Sequence, residues 1–188
     1  MLRNSDYVFN TVLKADGKET TLQYCKKAQV GVDLSVKNFR AIQTSGIILQ
    51  NKSIVSRTEV MPKSAFSVDG NNFTGWNLGR GTYICELNEG CAFGQHDTGL
   101  IILRSSFNRS GCTVVSAVWD PGYTSVDGEA IHPMSIRFTV DTDKGIYIEE
   151  NARIAQLLVF ENESAELYHG QFQGGSYYSN IVKETSCS

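Results

Sequence analysis

Arg104, Ser105, Ser106 and Arg109 fall within six consecutive residues, directly after the apolar run Leu100–Leu103. Two guanidinium groups, two hydroxyls and the backbone N–H groups of a helix start suit the oxygens of a phosphate. A capped helix with solvated arginines is the alternative that spacing alone leaves open, because serine is a common N-cap. Asp120-Pro121-Gly122-Tyr123 follows, closing the apolar stretch TVVSAVW. Proline fixes φ and glycine permits positive φ, so a turn of fixed shape is predicted there. Asp127 and Glu129 alternate on the next segment and face one side of a strand. A carboxylate so placed is a general base only if a pocket adjoins it, and is otherwise solvated.

Two later stretches carry polar groups in apolar surroundings. Arg153 and Gln156 interrupt the strand-like run NARIAQLLVF, and YHGQFQG holds Tyr168, Gln171 and Gln173. Side chains of the second stretch can stack on a ring and hydrogen-bond its edge, or simply complete a turn. Several chemistries have no residues to carry them. HEXXH, the Walker GxxxxGK[ST], GxGxxG and GxSxG do not occur. His96, His132 and His169 lack metal-ligand spacing, and the HxE…PCxxC pattern of zinc-dependent nucleobase deaminases is missing. No zinc or other protein-held metal site is predicted.

The elements that must position these groups are mostly strands. They are predicted at Gly31–Val36, Ile47–Leu49, Gly81–Glu86, Gly99–Leu103, Thr113–Trp119, Met134–Val140, Ile146–Ile148 and Arg153–Phe160, with one short helix at Ser105–Ser110. Its opening serines are expected to act as the N-cap. Short strands with glycine-rich turns point to a mainly β fold, a barrel or a two-sheet roll. The 51–72 stretch, with its NKS and DGNN runs, is weakly patterned and reads as a surface excursion, a lid or an insertion. The small, polar tail from Gly174 reads as flexible until something binds. One domain is expected over the 188 residues.

Composition bounds the partners. With 17 Lys+Arg and 20 Asp+Glu the net charge is −3, which offers no long-range field to a nucleic acid but leaves room for a local anion pocket. The start MLRNSDYVFN has no apolar signal core, and no run of apolar residues is long enough to span a membrane. Five scattered cysteines, none in CxxC spacing, read as ordinary thiols of a reducing, cytoplasmic chain.

In the order RSSFNR, WDPGY, RIAQLLVF, YHGQFQGG, with QVGVDLSV upstream, these motifs resemble the dCTP deaminase branch of the dUTPase-like superfamily. The likeness covers somewhat over half the chain. It implies a distorted β-barrel or jelly-roll subunit in a homotrimer, with active sites between subunits. It also implies a deoxynucleoside triphosphate as substrate, with Mg²⁺ carried on its phosphates. Carried over residue by residue, Glu129 would be the base that takes a proton from the attacking water, with Ser105 and Arg109 orienting it. Arg104 and Ser106 would meet phosphate, and the Ser116–Trp119 backbone would read the pyrimidine edge. Asp120 and Tyr123 would stand in the turn beside the sugar, while Gln156, Tyr168, Gln171 and Gln173 would complete the pocket.

The chain also departs from the family pattern. The family's glutamate stands one residue further from the turn aspartate, where this chain has Ala130, and Ser125 replaces a glycine of the turn. Gln171 replaces the lysine of the closing motif. Deamination of dCTP to dUTP and ammonia is the first expectation. The alternative is a dUTPase, or a bifunctional enzyme giving dUMP and pyrophosphate, in which Asp120 activates the water. The tail lacks the RGxxGFGSTG loop of plain dUTPases. A trimer that binds nucleotide without turning it over is the third reading.

Overall fold

The computed structural model describes residues 1–50, 53–115, 118–122 and 131–163. Helix α1 (Ser5–Tyr7) runs into a π turn at Val8–Val12. The first half of the chain then forms β1 (Leu13–Lys14), β2 (Lys26–Lys27), β3 (Val32–Ile42), β4 (Ile47–Ile48), β5 (Ser53–Ile54), β6 (Thr58–Val60), β7 (Ser64–Val68) and β8 (Asn71–Leu78). It continues with β9 (Gly81–Leu87), β10 (Gly90–Cys91), β11 (Asp97–Leu103), α2 (Ser105–Arg109) and β12 (Cys112–Val115). The last described strands are β13 (Ser135–Val140), β14 (Ile146–Glu149) and β15 (Arg153–Glu161).

The mainly β fold expected from the sequence is present. Its principal sheet runs β11-β15-β3-β9-β13-β12, with β2 and β6 also paired to β3. All its pairings are antiparallel. The sheet curls until its edges meet: Trp119, just beyond β12, bridges Gly99 on β11 through two N–H···O bonds of 2.9 Å. That bridge makes a nearly closed barrel. Inside it pack Val32, Leu34, Val36, Phe39, Leu87, Phe138, Ile154 and Leu157, all at 0% exposure. Phe39 sits 5.3 Å from Trp76 and 5.2 Å from Phe138, ring centre to ring centre, so one aromatic seam links the barrel to the outer sheet β14-β8-β7.

Strand β3 is longer than predicted, and the reason is a bulge. Val32, Leu34 and Val36 point inward, but the next inward residue is Phe39, three further on. The pairing of β3 with β9 shifts register between Val36 and Asn38. An extra residue there flips the alternation, which is why the sequence pattern stops at Val36 while the strand does not.

The described part of the stretch read as a surface excursion, residues 53–72, holds short strands. β6 joins the principal sheet through β3, and β7 and β8 form a hairpin whose turn residues Asp69 and Gly70 have φ of 50° and 79°. Positive φ at both central positions makes this the tight turn that Asp-Gly favours. The N-terminal elements were not predicted either. Arg3 and Tyr7 both reach the buried Asp97 carboxylate, at 3.0 and 2.6 Å, and fasten α1 to the start of β11. Cys85, Cys91 and Cys112 are buried thiols of the core, and Cys25 lies part-buried at its edge. No helix among the described residues is long and apolar enough to cross a membrane.

Candidate functional site

Strand β11 ends at Leu103, and Arg104 turns the chain into α2. The Arg104 backbone is extended (φ −68°, ψ 143°), and its carbonyl accepts from the N–H groups of Phe107 at 3.0 Å and Asn108 at 3.3 Å. Serine capping, expected from the sequence, does not start this helix. Arg104 is the cap residue and makes no side-chain cap bond, while Ser105 and Ser106 lie inside the first turn. What holds α2 down is Phe107, whose ring meets Phe138 edge-on at 6.2 Å. That single anchor leaves Ser105, Ser106, Asn108 and Arg109 exposed.

Between α2 and β12 runs an open groove of about 310 Å³, lined by Leu103, Ser105, Asn108, Cys112, Thr113 and Val114. Burial raises the Cys112 thiol above its ordinary value, with Asp141 adding to the effect, so it lines the groove as a neutral group. The groove is where a ligand could meet the Ser105 hydroxyl.

Arg104 itself is held from below. Its Nε lies 3.2 Å from Asp33 Oδ2 on β3, and its Nη1 donates to the Arg153 carbonyl on β15 at 2.9 Å. Asp33 sits directly opposite Gln156 in the β3–β15 pairing, and Gln156 is opposite Ile102 on β11. The Gln156 side-chain amide donates to the Val30 carbonyl. Gln156 thus secures the approach to β3 at the foot of the arginine. Asp33 is the residue that site reasoning from sequence missed. It was legible as the polar residue alternating with Val32 and Leu34, but its pairing across three strands was not.

The Asp120 turn has the predicted shape. Gly122 takes φ of 76° and donates its N–H to the Phe93 carbonyl at 3.0 Å, while Pro121 and Gly122 are buried and Asp120 is exposed. Trp119 is 8% exposed, and its own N–H and C=O are spent on Gly99. Asp120 therefore follows the residue opposite Gly99, whereas Arg104 follows Leu103. Those two positions are four strand residues apart, or about 13 Å. The structure does not bring Arg104 and Asp120 of one chain together. Ser116, Tyr123, Glu129, Tyr168, Gln171 and Gln173 lie outside the described residues.

One further carboxylate is buried two residues further along β3, against Ser35. Glu89 is 0% exposed and accepts from the Ser35 N–H at 3.0 Å and the Ser35 hydroxyl at 2.6 Å. Asn88 donates to Ser35 Oγ and to Asn151, tying the same group to the β14–β15 turn. Burial pushes the Glu89 carboxyl up to about 7, although the Ser35 hydrogen bonds pull the other way.

Barrel, short helix and Asp-Pro-Gly turn together define a dUTPase-like fold. The crystal structure of 2'-deoxycytidine 5'-triphosphate deaminase from Agrobacterium tumefaciens shares it, with a TM-score of 0.52 and 12% identity. The match covers 86% of this chain and 48% of that one, so the chain spans about half the length of that structure. Within this fold class the chain belongs to the dCTP deaminase-like family, whose model matches residues 14–162. Curated relatives include a probable deoxyuridine 5'-triphosphate nucleotidohydrolase of Aeropyrum pernix, 32% identical over 146 residues, which is 77% of this chain and 82% of the relative. The deoxyuridine 5'-triphosphate nucleotidohydrolase of Methanocaldococcus jannaschii is 28% identical, over 78% of this chain and 86% of its own length.

Proposed function

We propose that this enzyme hydrolyses dUTP to dUMP and pyrophosphate. The sequence alone placed dCTP deamination first. The observation that reverses the order is the likeness, over three quarters of the chain, to relatives named deoxyuridine 5'-triphosphate nucleotidohydrolases. In this reading a water oxygen attacks the α-phosphorus, the bond from that phosphorus to the bridging oxygen breaks, and pyrophosphate leaves. The proton of the water goes to the Asp120 carboxylate, which is exposed on a turn of fixed shape. Arg104 and Ser106 hold phosphate oxygens, and Ser105 and Arg109 present further donors from the same exposed face of α2. Ser116, Trp119 and Tyr123 would flank base and sugar, with Tyr168, Gln171 and Gln173 closing over the nucleotide.

Among the described residues no group of three or more His, Cys, Asp or Glu is placed to hold a metal ion. In this reading Mg²⁺ would be carried on the substrate's own phosphates and water, where it offsets their charge. The 13 Å of strand between the Asp120 and Arg104 ends supports a site built from two copies of the chain, and so the homotrimer that the motifs imply.

Deamination of dCTP is the second reading. The family description favours it, and so does the exposure of both Ser105 and Arg109 on α2. Glu129 would then take the water's proton as the oxygen adds to the amino-bearing ring carbon, and ammonia would leave. One assay separates the readings: incubation with dUTP or dCTP and Mg²⁺, following dUMP, pyrophosphate and ammonia. Release of dUMP and pyrophosphate from dUTP is expected, and Asp120→Asn should abolish it while nucleotide still binds. Ammonia from dCTP supports the second reading, and both products together a bifunctional enzyme. Tight binding with no turnover of either nucleotide would sink both.

A further inference from the structure

We infer that Asp33 is a positioning residue for the triphosphate, acting through Arg104; this rests on the reading of Arg104 as a phosphate-binding group. The backbone of Arg104 is fixed first: its N–H donates to the Ile154 carbonyl at 3.1 Å, and its carbonyl receives two N–H groups of α2. The side chain is then fixed separately. Asp33 meets Nε at 3.2 Å and the Arg153 carbonyl takes Nη1 at 2.9 Å, so β3 and β15 together set the plane of the guanidinium. The Asp33 side chain is only 13% exposed, against 35% for Arg104, so the carboxylate is the inner member and the arginine the outer one.

The backbone around Asp33 makes this placement specific. Gly31 precedes it at φ 69°, and a Cβ there would stand 2.1 Å from the Leu157 carbonyl oxygen. Only glycine lets the start of β3 come this close to β15. That approach sets the register in which Asp33 faces Gln156, beneath the end of β11. An arginine free to rotate must be immobilised when it grips a phosphate, and that ordering costs affinity. Here the ordering is done by the fold before any ligand arrives. The inner face of the guanidinium is spoken for, and the outer donors remain to meet phosphate oxygens in one orientation. Partial neutralisation by Asp33 also limits the positive charge exposed when the pocket is empty. The same carboxylate therefore trades some attraction for a defined geometry.

The test is a double-mutant cycle read by equilibrium binding of dUMP, dUDP and dUTP and by steady-state kinetics with dUTP. Asp33→Ala should weaken dUTP binding about three- to tenfold, the range for freeing one long side chain. The loss should appear chiefly in KM and should shrink as phosphates are removed. Asp33→Asn, which keeps an acceptor for Nε, should recover part of the affinity. In an Arg104→Ala background, Asp33→Ala should change dUTP affinity by less than twofold. Additive losses in the two backgrounds, or a loss equal for dUMP and dUTP, would overturn the inference and leave Asp33 as a brace of the barrel. Unchanged nucleotide binding in Arg104→Ala would instead remove Arg104 from the phosphate site. Thermal melting of each variant identifies any loss of affinity that follows from unfolding, and Asp33→Asn supplies the comparison if Asp33→Ala does not fold.

Discussion

Glu89 shows what a single buried side chain does to the stability of this chain. Its ordinary value is 4.5, and burial holds it at about 7 in the folded protein. Between those two values the folded chain keeps a proton that the unfolded chain has lost. Stability therefore falls as pH rises through this window, by about 3 kcal/mol if no other group offsets it. Below the window both states are protonated and above it both are ionised, so the contribution is flat on either side. Glu89→Gln mimics the protonated form and should remove most of the slope between pH 5 and pH 7. Urea denaturation of the two proteins at both pH values checks this, and an unchanged slope in the variant would assign the dependence to other groups. Glu89 had no signal in the sequence. It lies in the run ELNEGC, where nothing distinguishes it from the partly exposed Glu86 three residues earlier. Arg104, Ser105 and Arg109 stand out in the sequence because their types and spacing suit the oxygens of a phosphate. The partners that decide whether a charge is exposed, paired or buried come from other strands.

At the level of the element, the positions of two glycines separate backbone freedom from backbone contact. Gly70 has φ of 79° and nothing within 4 Å of a would-be Cβ, so Gly70→Ala should cost only the left-handed conformation, about 1 kcal/mol. Gly31 has a similar φ of 69°, but its Cβ would collide with the β15 backbone. Gly31→Ala should cost at least twice as much, about 2–4 kcal/mol, and should disturb Asp33 and Gln156 with it. Chemical denaturation of the two variants side by side tests this; equal losses would show that β3 can move away from Leu157. The strands that were legible are compact apolar or alternating runs, such as β9, β11, β13 and β15. Strand β3 was read only as far as its bulge, because a bulge reverses the pattern on which the reading depends. Hairpin β7–β8 was missed although Asp69-Gly70 is a strong turn signal, because most of its strand residues are exposed and show little contrast between faces. Helix α2 was found in place, but its cap was misassigned, since Arg104 rather than a serine occupies the extended position before the first turn.

For the whole molecule, the separation of Asp120 from Arg104 leads to a prediction about assembly. If each site takes Arg104 from one copy and Asp120 from its neighbour, Arg104→Ala and Asp120→Asn chains should each be inactive alone. Mixed and reassembled in equal amounts, they should recover about a quarter of the sites, since each site then draws both native groups by chance. Light scattering of the wild-type protein should give the mass of three chains. No recovery on mixing would place both groups in a single copy. The seam that closes the barrel has a different consequence. The Gly99–Trp119 bridge joins the two ends of the principal sheet, whereas β11 and β15 pair over seven residues. If the seam as a whole opened, the outer side of β11 would present bare N–H and C=O groups along an apolar strand, a ready template for another chain to pair with. The tryptophan at the seam therefore guards solubility as well as shape: replacing it should show first as aggregation on mild heating, before the barrel as a whole has melted.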